Sequence, residues 1–127
     1  MKINAPKIPG IGMFSDDIRD VVKGHVFYMD ELGFVNGATD RGEELKKAVT
    51  CAEWAKSPMQ SINYLSCHDN YTLWDRFIIS NSHESEDMRI RIISLQHPFF
   101  SQHRGFRFSC MERSLREQRL VKRMVLL

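Results

Sequence analysis

Four consecutive residues, Cys67-His68-Asp69-Asn70, set a thiol, a proton carrier, a carboxylate and an amide side by side. Histidine changes charge near neutral pH. A carboxylate beside it accepts hydrogen bonds from hydroxyls and stabilises positive charge that develops nearby. Together they suit acid–base or electrostatic work on a polar substrate. Cys67 and His68 do not form a nucleophile–base pair merely by adjacency, because neighbouring strand residues point to opposite faces. A second reading of the triplet stays open at this point: a polar loop in which His68 caps an element and Asp69 binds backbone amides. The three cysteines, at 51, 67 and 110, are odd in number and follow no metal or redox spacing. Ordinary thiols in a reducing compartment are expected, with no metal and no cofactor.

The elements around the tetrad determine how it is presented. Upstream, Ser61 to Ser66 holds Ile62, Tyr64 and Leu65 with no charge among them, the composition of a short buried strand. A strand ending in His68-Asp69-Asn70 places the group at its C-terminal mouth, where parallel α/β sheets and barrels keep their sites. Thr72 to Phe77 moves from loop into helix, with Leu73, Trp74 and Phe77 turned back on the sheet. Met1 to Pro9 is expected to be extended or loop-like, because Pro6 and Pro9 disfavour helix at the residue before each. Gly10 to Phe14 reads as a strand with a tight entrance. Ser15 is placed to cap a helix, Asp16 and Asp17 suit its first turn, and Gly24 suits its end. Ile18, Val21 and Val22 share one face of it. Arg19 and Asp20 either point towards a site or are paired structurally. His25 to Phe34 is an irregular connection that carries several apolar residues.

A further helix is expected over Arg41 to Ala55, burying Leu45, Ala48, Val49, Ala52 and Ala55. Trp54 reads as packing. Ser80 to Asp87 is a polar linker, and Met88 starts another helix. This order gives about two βα units. A closed eight-stranded barrel takes about 250 residues, and two units leave sheet edges bare. The fold class is therefore α/β, a slice of a larger domain; the resemblance described next implies that this domain is a (β/α)8 barrel.

Two strings carry a resemblance. I-N-Y-L-S-C-H-D-N-Y-T-L-W-D-R, residues 62 to 76, resembles the block that ends the seventh barrel strand of the type I pullulanases, in the α-amylase family of glycoside hydrolases (family 13). Residues 8 to 27, I-P-G-I-G-M-F-S-D-D-I-R-D-V-V-K-G-H-V-F, and G-F-V-N-G at 33 to 37 resemble the segment after the acid-carrying strand of the same enzymes. The likeness covers roughly residues 5 to 91. It implies retaining hydrolysis of α-1,6 bonds in pullulan, starch or glycogen. Asp69 takes the place of the third carboxylate, the transition-state stabiliser. His68 takes the place of a histidine that binds the same sugar, and Asn70 belongs to the motif as a further substrate contact. The partner implied is an α-glucan oligosaccharide or polysaccharide. The family's nucleophile motif, G-F-R-F-D, and acid motif, Y-G-E-G-W, do not precede Ile8, and retention needs both carboxylates. The expectation is a C-terminal-half piece of a catalytic barrel, inactive alone. Gly105-Phe106-Arg107-Phe108-Ser109 imitates the nucleophile strand but comes after the His-Asp block, and Ser109 replaces the carboxylate; the expectation is coincidence.

Charge divides the chain. Residues 1 to 90 hold ten Lys/Arg against fourteen Asp/Glu, and residues 91 to 127 hold eight against two. The expected division is a partial barrel over 1–91 and an out-of-family, poorly packed basic tail over 92–127. Read from the third base of each codon, with synonymous codons, residues 94 to 127 can spell a line containing G-I-P-F-L-M-H-G-E-E-F. That line resembles the eighth-strand segment the family has at this point. The first two bases of each codon fix the last two of each hidden codon. A frameshift between about Met88 and Ser94 is the expectation. The alternative is a small non-catalytic binder of carbohydrate, or of nucleic acid through a basic helix with Leu120, Val121, Met124 and Val125 on one face. Under the first reading no nucleic acid is expected. Nor is a membrane span, for there is no run of about 18 apolar residues. Met1 to Asn4 is not followed by the apolar core of a signal peptide, so a cytoplasmic location is expected. Oligomeric state is left open.

Overall fold

The computed structural model describes residues 2–50, 53–67, 69–101 and 106–107. Its centre is a parallel sheet of three short strands, β1 (Met13–Ser15), β2 (Ser61–Asn63) and β3 (Phe106–Arg107), in that spatial order. Met13 pairs with Ser61 and Ser15 with Asn63, so β1 and β2 end side by side. Among the described residues four α-helices accompany the strands: α1 (Asp16–Lys23), α2 (Gly42–Thr50), α3 (Leu73–Ser80) and α4 (Glu86–Ser101). The sheet thus has one strand more than two βα units supply, and the molecule is a small mixed helix–strand unit.

The core forms where the helical faces meet one another, with Leu65 joining from just past β2. Ile18, Val21 and Val22 of α1 are buried with Leu45, Leu65, Phe77 and Ile92, and Ala48, Val49 and Leu73 pack against them. These are largely the positions that helical periodicity selects. Trp74 is buried as expected. Ala52, with Cys51, lies outside the described residues, and α2 ends at Thr50.

Some boundaries differ from expectation. Lys2–Lys7 is a 3-10 helix rather than extended chain. Two proline restrictions do not prevent one tight turn, and Gln60 holds it there. Its buried side-chain amide donates to Ala5 O at 3.0 Å and Ile8 O at 3.1 Å. β2 stops at Asn63 instead of running to the His-Asp group. Its neighbour β1 turns into α1 at Asp16, so no ladder partner exists on that side beyond Asn63. Tyr64 and Leu65 stay buried without pairing. Ser15 precedes α1 but makes no capping hydrogen bond, its hydroxyl donating to Asp17 at 3.3 Å instead. Thr72 caps α3, its Oγ1 accepting from Asp75 N at 3.2 Å. α4 begins at Glu86, two residues before Met88, with Ser85 Oγ accepting from Met88 N.

The connection between α1 and α2 is braced rather than loose. Gly24 ends α1 at φ +88°, and a Cβ there would lie 2.1 Å from Glu31 O. A Cβ on Gly33 would lie 2.4 Å from both Val22 O and Gly24 N. The chain therefore folds back on the end of α1, backbone against backbone, where only glycine fits. Asn36 and Asn81 then exchange hydrogen bonds between the loop and the end of α3, with Asn36 Nδ2 donating to Asn81 Oδ1 at 3.0 Å and Asn81 Nδ2 to Asn36 O at 2.9 Å.

Candidate functional site

The parallel register brings the C-terminal ends of β1 and β2 together, and a polar network fills the junction. Tyr64 directly follows β2, and Asp16 directly follows β1. The Tyr64 hydroxyl donates to Asp16 Oδ1 at 2.9 Å. Arg19, one turn into α1, donates to the Tyr64 hydroxyl at 2.5 Å and to Asp16 Oδ1 at 2.8 Å. It also binds both carboxylate oxygens of Asp20, at 2.6 and 3.0 Å. The Tyr64 ring packs edge-on to Phe14 at 5.1 Å. Of the two roles open for Arg19, the structure shows the structural one: it is buried and fully engaged. Burial works against the Asp16 carboxylate, yet the hydrogen bonds from Lys2 and Tyr64 and the nearby Arg19 charge hold it below its usual range. Burial and the same Asp16 hydrogen bond push the Tyr64 phenol up to about 12.

Lys2 also lies over the Trp54 ring, 5.6 Å from its centroid, and Trp54 Nε1 donates to Asp17 at 3.0 Å. Trp54 is thus tied into the structure, as the packing reading expects.

The segment after Tyr64 carries the expected chemistry outward. Asp69 stands exposed in a turn, six residues beyond the last paired residue of β2, and Asn70 follows it, half-buried. Asn70 N donates to Cys67 O at 3.4 Å, and its side-chain amide lies 3.7 Å from Cys67 Sγ. Cys67 is a free thiol. His68 lies outside the described residues, as do Cys51 and Cys110. Asp69 and Asn70 thus follow β2 in the chain, six and seven residues past the strand end that carries the Asp16–Arg19–Tyr64 network. Among the described residues no three His, Cys, Asp or Glu side chains gather as metal ligands, and no helix is long and apolar enough to cross a membrane.

Two buried cations complete the site's foundation, and neither was singled out from the sequence. Arg76, in the first turn of α3, is 2% exposed. Its Nη2 donates to Tyr28 O at 2.9 Å and Glu31 O at 2.7 Å, and its Nη1 lies 3.0 Å from Met29 Sδ. It anchors the 24–33 connection to the helix that starts just after Asn70. Lys23, 2% exposed at the end of α1, is lowered to about 8, first by burial and then by Arg19, with Arg76 acting the same way. Arg76 has a faint sequence signal, a charge set with Asp75 between Leu73-Trp74 and Phe77-Ile78. Lys23 has none.

Comparison with known proteins gives this corner its context. No family model matches the chain. Against the pullulanase of Bacillus subtilis strain 168 it is 34% identical over 93 residues, which cover 68% of this chain and 13% of that protein. Against the pullulanase of Klebsiella aerogenes it is 36% identical, covering 65% of this chain and 12% of that one. The crystal structure of the Anoxybacillus sp. LM18-11 pullulanase complexed with maltotetraose superposes on it with a TM-score of 0.83 at 37% identity, covering 87% of this chain and 16% of that one. The chain is a segment of pullulanase type.

The pullulanase type I of Bacillus subtilis strain 168, complexed with maltose, superposes with a TM-score of 0.80 at 30% identity. The chain spans about an eighth of the length of the curated pullulanases it matches. The match to the Bacillus subtilis pullulanase covers about the share of the chain taken by residues 5 to 91. The structural likeness to pullulanases covers a larger share.

Proposed function

We propose that the chain carries one corner of the sugar-cleaving site of an α-1,6-debranching barrel of the α-amylase family, acting on pullulan, starch or glycogen with retention. The observation that carries this is the turn with exposed Asp69, six residues past the end of β2 where the Asp16–Arg19–Tyr64 network joins two parallel strands, in a chain whose solved relatives include maltooligosaccharide complexes. Asp69 grips hydroxyls of the sugar at the cleavage point and stabilises the positive charge of its oxocarbenium-like transition state. His68 and Asn70 bind the same sugar. The network ties the ends of β1 and β2 together at the base of the segment that leads to Asp69. The 127 residues carry neither of the motifs that supply a nucleophile and an acid, so the chain alone does not turn over substrate.

The tail belongs to the same proposal. Residues beyond about Met88–Ser94 are read from a shifted frame. Gln96 is 3% exposed, with neither amide atom hydrogen-bonded among the described residues. Upstream, the buried side-chain amides of Asn36, Gln60 and Asn81 have hydrogen-bond partners, whereas Arg76 Nε and Arg89 Nε have none among the described residues. α4 crosses the boundary, and β3 pairs with β2. Strand pairing is made by main chain and asks little of side-chain identity. The hidden G-I-P-F-L lies over residues 104 to 109, so β3 stands where chain length alone would deliver the next strand.

Purified chain tests the functional reading. It is expected to bind maltotetraose, with Asp69→Asn weakening the binding, and to release no sugar from pullulan. Equal binding by Asp69→Asn, or pullulan hydrolysis by the chain alone, overturns it.

A further inference from the structure

β1 lies at the edge of the sheet. Its residues pair with β2 on one side, and among the described residues no strand pairs with the other. Such an edge presents main-chain N–H and C=O groups to a further strand, and proteins blunt it with lysine, proline or a bulge. Met13-Phe14-Ser15 carries none of these. The approach is apolar and open. Ile11 is 54% exposed and Phe14 45%, and a Cβ on Gly10 would meet nothing within 4 Å. The strand itself is held. Phe14 packs edge-on to Tyr64, and the Asp16–Arg19–Tyr64 network ties the end of β1 to β2. A braced, uncharged, uncovered edge is the surface used when a partner adds a strand to a sheet.

Polarity and order decide which strand fits. β1, β2 and β3 are parallel and follow one another in space as they do in sequence. The outer side of β1 is therefore the place of a parallel strand that comes earlier in sequence. Residues 8 to 27 resemble the segment that follows the acid-carrying strand of the pullulanases, and the chain covers 16% of the Anoxybacillus sp. LM18-11 pullulanase. A second copy fits less well, since two β1 edges joined into one sheet by a twofold axis run antiparallel. We infer that the free edge of β1 is a docking edge for a parallel strand of the acid-carrying type, and that it accepts this strand from a separate polypeptide. This rests on the debranching reading above and gives the carboxylates that reading lacks a place of attachment. A strand docked in parallel ends on the same side of the sheet as Ser15 and Asp16. An acid at its C-terminal end then arrives at the corner where the network joins β1 to β2.

A synthetic peptide of about ten residues, the upper length of an ordinary strand, centred on the family's acid motif Y-G-E-G-W, tests this against the full chain by amide hydrogen exchange. The amides of Gly10 to Ser15 are expected to slow at least about tenfold at saturating peptide, and a scrambled peptide should leave them unchanged. Ile11→Lys puts a charge at the entrance to the edge and should raise the peptide concentration needed about tenfold, the scale of one buried aliphatic contact. No slowing at millimolar peptide, or equal slowing by the scrambled peptide, overturns the docking edge. Slowing that grows with chain concentration in the absence of peptide makes β1 a self-association surface and also overturns it. Maltotetraose titration keeps the two claims apart. Sugar binding without peptide-induced slowing at β1 overturns the docking edge and leaves the debranching reading standing. Slowing at β1 in a chain that binds no maltotetraose supports the edge and overturns that reading. Exchange in the unaltered chain decides the matter even where Ile11→Lys prevents folding.

Discussion

Lys23 occupies surroundings that disfavour its charge. Burial, with Arg19 next in effect, brings its pKa from the ordinary 10.5 to about 8. Between these values the unfolded chain keeps the proton and the folded lysine has shed it. Stability therefore rises with pH across that window. The Tyr64 phenol, raised to about 12, acts in the opposite sense above pH 10, so the clean interval is pH 8 to 10. Urea unfolding across it should show the rise, and Lys23→Met should abolish it while making the chain more stable at pH 7. A flat profile in the unaltered chain would contradict this. Arg76 gives the second prediction at this scale. Removing it leaves the Tyr28 and Glu31 carbonyls without their donor, and Arg76→Met should cost about 2–4 kcal/mol in denaturant unfolding. A cost under about 0.5 kcal/mol, the size of an ordinary surface change, would show the clamp to be incidental. The sequence pointed to Asp69 because a residue string carries it. It could not reveal Lys23, Arg76 or the hub role of Tyr64, because these depend on which strands pair and where a connection doubles back.

At the scale of elements, periodicity placed the apolar faces of α1 and α2, and turn chemistry placed the stop at Gly24. Strand ends were less legible. The composition of residues 61 to 66 suits a strand throughout, but pairing ends at Asn63 because β1 has already turned into α1. A strand is as long as its partner allows, and that is a property of the sheet. The 3-10 helix at Lys2–Lys7 was hidden for a similar reason, since the residue that holds it is Gln60. Glycines provide the test here. Gly24→Ala forces a Cβ onto Glu31 O at a positive φ and should destabilise by about 1–3 kcal/mol or more. Gly10→Ala, with open space around it, should change little. Thr72→Ala should cost about 1 kcal/mol through loss of the α3 cap. Thermal unfolding of the three variants separates these cases, and equal effects at Gly24 and Gly10 would count against the folded-back connection.

The whole molecule is a patch of parallel sheet with flanking helices, matched over most of its length by pullulanases that are several times longer. The family was legible because two long strings survive in order. The expected boundary near residue 91 rests on a break in charge, the end of the family pattern and the shifted-frame reading. Phe106 and Arg107, in the string that imitates a barrel strand and was set aside as coincidence, pair with β2; backbone pairing follows chain length and available edge. Genomic sequence tests the shifted frame: third bases over codons 94 to 127 should spell the line containing G-I-P-F-L-M-H-G-E-E-F, and any other line rules it out. The central claim is that Asp69 belongs to a sugar-cleaving corner, and a chimera tests it most directly. Residues 5 to 91 are placed in the Bacillus subtilis pullulanase in exchange for its matching segment, and pullulan hydrolysis is measured with and without Asp69→Ala. The account predicts an active chimera whose kcat falls at least about a hundredfold on that substitution, the scale of losing one transition-state electrostatic contact. A folded chimera that hydrolyses pullulan equally well with alanine at position 69 would contradict it.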